Sequence, residues 1–160
     1  MHTPRLLLLP ATTLVGLNRP MSLARNETAG LGRSFMPRRT TIANQIGTDL
    51  FSVQQYPADY FDGFEPATQF VKWAAVAVSV PNEVPPGMAV LLLPAGLYAV
   101  FDYRGLPSEG AQMFRYIFQT WLPASDYLLD DRPHFERLGP AYDPQSPDSE
   151  EEIWVPVRPR

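Results

Sequence analysis

The chain has 160 residues, 45% of them hydrophobic and 12% aromatic, which suits one domain or two small halves sharing a core. Its net charge is −4, and the 13 basic residues are scattered, Lys72 being the single lysine, which argues against a nucleic-acid surface. Cysteine is absent and histidine occurs only as His2 and His134, so disulfides, thiolate sites and multi-histidine metal centres are excluded within the chain.

The chain opens with "RLLLLP", an apolar run that Pro10 stops after four leucines. That is shorter than a signal-peptide core, and no 18-residue apolar span follows, so the expectation is a cytoplasmic protein without a membrane anchor. The letters LLLPA recur at Leu91–Ala95, which poses the question of an internal duplication. After the first copy, "TTLVGLNR" reads as a strand, and Asn26 can cap a helix carrying Leu31 and Phe35 and ended by Pro37. "LFSVQQY" (50–56) and "WAAVAVSV" (73–80) read as two further strands. Between them, "YPADYFDGFEP" sets four aromatics among Pro, Gly and acids, either as a pocket wall or as a plug at the sheet edge.

The second half repeats the order. "GLYAVFDYRG" is strand-like, and Ser108 can cap a helix on which Met113, Phe114, Ile117, Phe118 and Trp121 share a stripe, closed by Pro123. "HFERL" (134–138) and "IWVPV" (153–157) supply the closing strands. The reading is an α+β domain of duplicated strand–helix–strand–strand halves, about 4–82 and 87–158. These are related by a pseudo-two-fold axis, with antiparallel sheets and a ligand cleft between the halves.

Alternation in 134–138 sends Phe135 to one face and His134, Glu136 and Leu138 to the other. A carboxylate there is costly unless paired, so Glu136 is either a ligand contact or a surface residue paired with an arginine. Tyr98 is placed toward the cleft, with Ala99 and Phe101 beneath the helix; the alternative is Tyr98 in the core. The acidic run Asp143, Asp148 and Glu150–Glu152 lacks the spacing of a calcium loop and reads as a solvated connection. No phosphate-binding loop or nucleophile elbow occurs, and no cofactor is expected.

The ordered blocks "LPAGLYAVFDYRG", "FRYIFQTWLPASDY", "HFERLGPAYDP" and "EEEIWVPV" resemble the GyrI-like small-molecule-binding family, across roughly Pro4 to Arg158. The regulators of that family carry a separate DNA-binding region, for which this chain has no room, so a stand-alone effector-binding domain is expected. The resemblance also implies a duplicated fold with Glu136 at the base of an aromatic-lined pocket for lipophilic cations, and Tyr98 lining it. Phe118, Trp121, Tyr56 and Leu138 complete the candidate ligand-binding set. The expected function is binding of amphipathic, cationic small molecules. Two alternatives stay open: hydrolysis of a reactive electrophile by Glu136 with Tyr98, and inhibition of a protein partner such as DNA gyrase.

Overall fold

A computed structural model describes residues 2–160. The elements in order are β1 (Arg5–Leu9), β2 (Thr12–Met21), α1 (Thr28–Phe35), β3 (Leu50–Gln55), β4 (Phe70–Val78), β5 (Ala89–Leu93), β6 (Gly96–Arg104), α2 (Ala111–Tyr116), α3 (Leu122–Ala124), β7 (Tyr127–Leu129), β8 (His134–Leu138) and β9 (Glu150–Pro159). No helix among the described residues is long and apolar enough to cross a membrane.

The strands join in one antiparallel sheet in the order β1–β6–β9–β8–β3–β4–β2–β5, with β7 added on β9. Exchanging β1, β2, β3 and β4 for β5, β6, β8 and β9 reverses this order. The repeated LLLPA explains how. Pro10 and Pro94 lack an N–H and interrupt the ladder, so each copy ends one strand and the chain turns into the next. β1 then pairs with β6, and β5 with β2, so each half lends its first strand to the other. The first half therefore carries one strand more than the sequence reading assigned, because the break at Pro-Ala divides what read as a single strand, and the second carries two more, the same break and the short β7.

One face of the sheet is covered by helices. α1 lies over β2 and β4 through Leu31 and Phe35, one turn apart, against Val15, Val76 and Phe70. α2 and the turn after it lie over β6 and β9 through Met113 and Ile117, against Ala99, Phe101, Ile153 and Val155. The other face has no helical cover, yet Leu14, Phe51, Val53, Trp73, Leu93, Tyr98, Phe135 and Trp154 are buried there in one cluster reaching both edge strands. Such burial requires the sheet to curl over itself.

Both helix ends differ from the sequence reading. Asn26 Oδ1 accepts the Thr28 N–H at 3.0 Å, but α1 passes Pro37 into a 3₁₀ turn, Met36–Thr41, where proline fits the first turn. Ser108 makes no cap, since Pro107–Glu109 is itself a 3₁₀ turn and α2 begins after Gly110. Past Tyr116 the helix widens into a π turn, Ile117–Trp121, and Pro123 falls in the first turn of α3 instead of closing the helix. A π turn re-aims the side chains it carries.

Candidate functional site between the two helices

The central strands β3 and β8 lie between the two helices, and their helix-side residues form a polar strip. Alternation puts Phe135 in the opposite core, which leaves His134, Glu136 and Leu138 on the strip. Ser52 pairs with Glu136 in register and Gln54 with His134. On β4, Lys72 pairs with Gln54 and faces the same way.

Glu136 is held from two sides. Gln54 Nε2 donates to both carboxylate oxygens, at 3.1 and 2.8 Å. The Lys72 ammonium stands 3.7 Å from Oε1, with side-chain exposures of 6% for Lys72 and 14% for Glu136. A charge so far from water survives only with a partner, and this pair supplies one for each member. Lys72 sits in "FVKWAAVAV", a lone cation in an apolar strand, and that conflict was a readable signal that the sequence analysis did not use.

The aromatic-rich segment after β3 roofs one end of the strip. Tyr56 packs within 4.4 Å of Tyr60 and 4.9 Å of His134, centroid to centroid. Phe61 stacks on His134 at 5.5 Å and on Phe118 of the π turn at 5.3 Å. Tyr60 is buried beside Leu31 and Phe70 under α1, so the segment is anchored on one helix and reaches across to the other. Burial, with Arg132 adding repulsion, lowers the His134 pKa to about 3, so its imidazole is neutral near pH 7.

The sequence-derived candidates therefore divide. Glu136 shares the strip with Tyr56 and Phe118, which gather around His134, and Leu138 lies on the same face at the other end of β8, opposite Leu50. Tyr98 does not join them. It is fully buried on the opposite face, against Phe135 at 5.3 Å and Trp154 at 5.7 Å, and its hydroxyl donates to the Pro133 carbonyl at 2.7 Å. Ala99 and Phe101 lie beneath α2 as expected, but Glu136 is on that same helix-side face, so the intervening sheet separates Tyr98 from it. The pair required by the hydrolase alternative does not converge. Trp121 packs edge-on to Phe101 at 5.1 Å and along Tyr127, within the α2 core and away from Glu136.

Burial raises the Tyr98 hydroxyl pKa to about 12, with Arg132 acting against it. Removing the hydroxyl in Tyr98→Phe is expected to cost about 1 kcal/mol through the lost hydrogen bond. A thermal melt should show that loss, and a parallel titration should show ligand affinity unchanged; altered affinity would return Tyr98 to the site.

The acidic run is also not a uniformly solvated connection. Glu150–Glu152 open β9, and alternation there sends Glu152 to meet Arg5 and the Trp154 indole. Glu151 shares the helix-side face of Ile153, which is opposite Glu136. Burial first, then the nearby Glu136, raises the Glu151 pKa to about 7, while Lys72 opposes the rise. Tyr142, in the β8–β9 connection, is likewise raised by burial, then by Glu151 and Glu136. An open groove of about 820 Å³ has Glu151, Tyr103 and Ala141 in its wall. No cluster of metal-ligating side chains occurs among the described residues.

An antiparallel sheet with two helices straddling the strip brings charge and aromatic surface together, the combination small-molecule sites use. The sequence agrees. Residues 2–158 match the GyrI-like small molecule binding domain, and the chain belongs to that family. No curated protein sequence matches it. Among solved structures, SAV2435 bound to tetraphenylphosphonium superposes with a TM-score of 0.73 at 19% identity, over 97% of this chain and 93% of that one. A transcription regulation protein from Staphylococcus aureus MU50 gives 0.70 at 20% identity, over 99% of both chains. The EcmrR C-terminal domain gives 0.74 at 12% identity, over 100% of this chain and 99% of that one. At these identities the likeness is one of fold.

Proposed function

We propose that the protein binds amphipathic cations on the strip between α1 and α2, with Glu136 supplying negative charge and Tyr56, Phe61 and Phe118 supplying aromatic surface. The observation that carries this reading is a carboxylate at 14% side-chain exposure set beside stacked rings, in a domain of a small-molecule-binding family. Rings at a desolvated site attract a cation by up to about 2 kcal/mol each, and a carboxylate adds charge selection without demanding one shape. The bound tetraphenylphosphonium of SAV2435 is a ligand of that kind and is the natural first probe.

The test is a calorimetric titration with tetraphenylphosphonium and with neutral triphenylphosphine oxide at pH 8. The cation should bind, the neutral compound should bind at least tenfold more weakly, and Glu136→Gln should remove the difference. In that variant Lys72 stands unopposed and repels the cation. Equal affinity for both compounds, or for both proteins, would overturn the reading.

A further inference from the structure

Resting on that reading, we propose that Glu151 is a second carboxylate of the ligand site, and that a cation binds there with release of a proton to solvent.

The geometry makes the two glutamates unequal. Glu136 already has an ammonium and two amide hydrogen bonds around it. Its negative charge is therefore partly offset inside the protein before any ligand arrives. Glu151 has no hydrogen bond or ion pair among the described residues; only burial and the more distant Glu136 and Lys72 act on it. It shares the helix-side face with Glu136, since Ile153, two residues on, is the register partner of Glu136, and it borders the open groove, which Glu136, Tyr56, Phe61 and Phe118 do not line.

The cations of that groove are engaged elsewhere. Arg5 pairs with Asp102 and Glu152, Arg104 with Asp148, and Arg137 with Asp49. The other groups facing Glu151 are Tyr103, its register partner on β6, and Tyr142 from the β8–β9 connection, while Glu150, on the opposite face of β9, and His2 line the same groove. Beyond Tyr103 stands Glu109, ahead of α2. None of these pairs with the Glu151 carboxylate. An arriving cation supplies the missing countercharge, which favours the ionised carboxylate and expels its proton.

Lys72 sets how much negative charge the strip presents. With Lys72 present, the two glutamates and one ammonium leave a single negative charge when Glu151 ionises. Lys72→Met frees Glu136 as well, so cation affinity should rise. It also removes the group that eases Glu151 ionisation, so the pH dependence should move to higher pH.

The experiment is titration calorimetry with tetraphenylphosphonium from pH 5.5 to 8.5, repeated in two buffers of different ionisation enthalpy. For the wild type the expected affinity at pH 5.5 is about 30-fold below that at pH 8, with close to one proton released per ligand at the acid end. Glu151→Gln, a neutral and nearly isosteric change, should bind more weakly at pH 8 and lose the pH dependence. A wild type that binds without proton release, or a Glu151→Gln variant that keeps the wild-type profile, overturns this inference and leaves the binding site standing. Failure of the wild type to bind the cation at any pH overturns the proposed function itself, and this inference with it. Weaker cation binding by Lys72→Met, measured on protein shown to be folded by circular dichroism, would overturn the role given to Lys72.

Discussion

Gly16→Ala is expected to leave the protein largely unfolded, the largest effect of any single methyl addition in this chain. Gly16 lies in β2, paired with Ala75 of β4 on one side and Ala89 of β5 on the other. A Cβ there would fall 2.0 Å from the Ala74 carbonyl oxygen and 2.6 Å from the Ala75 Cα. Both obstacles are backbone in a central strand, so relief requires parting β2 from β4, the longest ladder of the sheet. Overpacking of a side chain in a yielding core costs about 1–3 kcal/mol, and a backbone obstacle lies above that range. At about 2–4 °C per kcal/mol for this size, a drop in Tm of 10 °C or more, or no cooperative melt, is expected.

Gly32→Ala is the control. It lies inside α1 with nothing within 4 Å of the added Cβ, and should stabilise by about 0.5–1 kcal/mol through reduced backbone freedom. Paired thermal melts decide the matter. A Gly16→Ala melt within two or three degrees of wild type would mean the sheet relaxes there at little cost.

The second large effect is on the pH dependence of stability, where buried His134 and half-buried Glu151 act in opposite directions. The His134 pKa is lowered from 6.5 to about 3, so as pH falls below 6.5 the unfolded chain takes up a proton that the folded chain refuses. Its contribution is present above pH 6.5 and is lost as pH falls toward 3. The Glu151 pKa is raised from 4.5 to about 7, so the folded chain keeps a proton that the unfolded chain gives up. Its contribution is complete below pH 4.5 and is lost as pH rises through 7. Each changes stability by about 1.4 kcal/mol per pH unit within its window.

Between pH 4.5 and 6.5 the two slopes cancel in the wild type, and each variant should expose the other. In His134→Phe, which keeps a ring for Tyr56 and Phe61 to pack on, stability should rise on acidification across that window, by up to about 3 kcal/mol relative to wild type. In Glu151→Gln it should fall by a similar amount. Urea unfolding of the three proteins at four pH values from 4.5 to 7.5 measures this directly. Curves that run parallel to wild type would show that neither group titrates as its burial demands.

The two effects bear on function as well. The proton that makes Glu151 cheap to bury is the same proton a bound cation would expel, so ligand should stabilise the protein more at pH 8 than at pH 5.5. His134, held neutral beneath Phe61, contributes a ring to the strip and no charge across the pH range in which a ligand would be offered.

Much of this architecture was legible in the residues themselves. Period-two alternation in "HFERL" separated Phe135 from Glu136, because a strand between a core and a second layer admits one kind of side chain on each face. The recurrence of LLLPA, the helix stripes and the closing strands marked the duplicated order of elements, and proline placed the breaks. What local pattern could not settle was which strands from distant parts of the chain meet. Alternation assigns a residue to one of two faces but does not say which face carries the helices, and so Tyr98 was set beside Glu136 when the sheet divides them. Nor does an acidic run reveal that Glu151, the second residue of a strand, turns inward beside Glu136, nor does local pattern reveal that Lys72, 64 residues before Glu136, supplies the countercharge of that residue. Those placements follow from the exchange of first strands and the adjacency of β3 and β8, and they exist only once the whole sheet has closed.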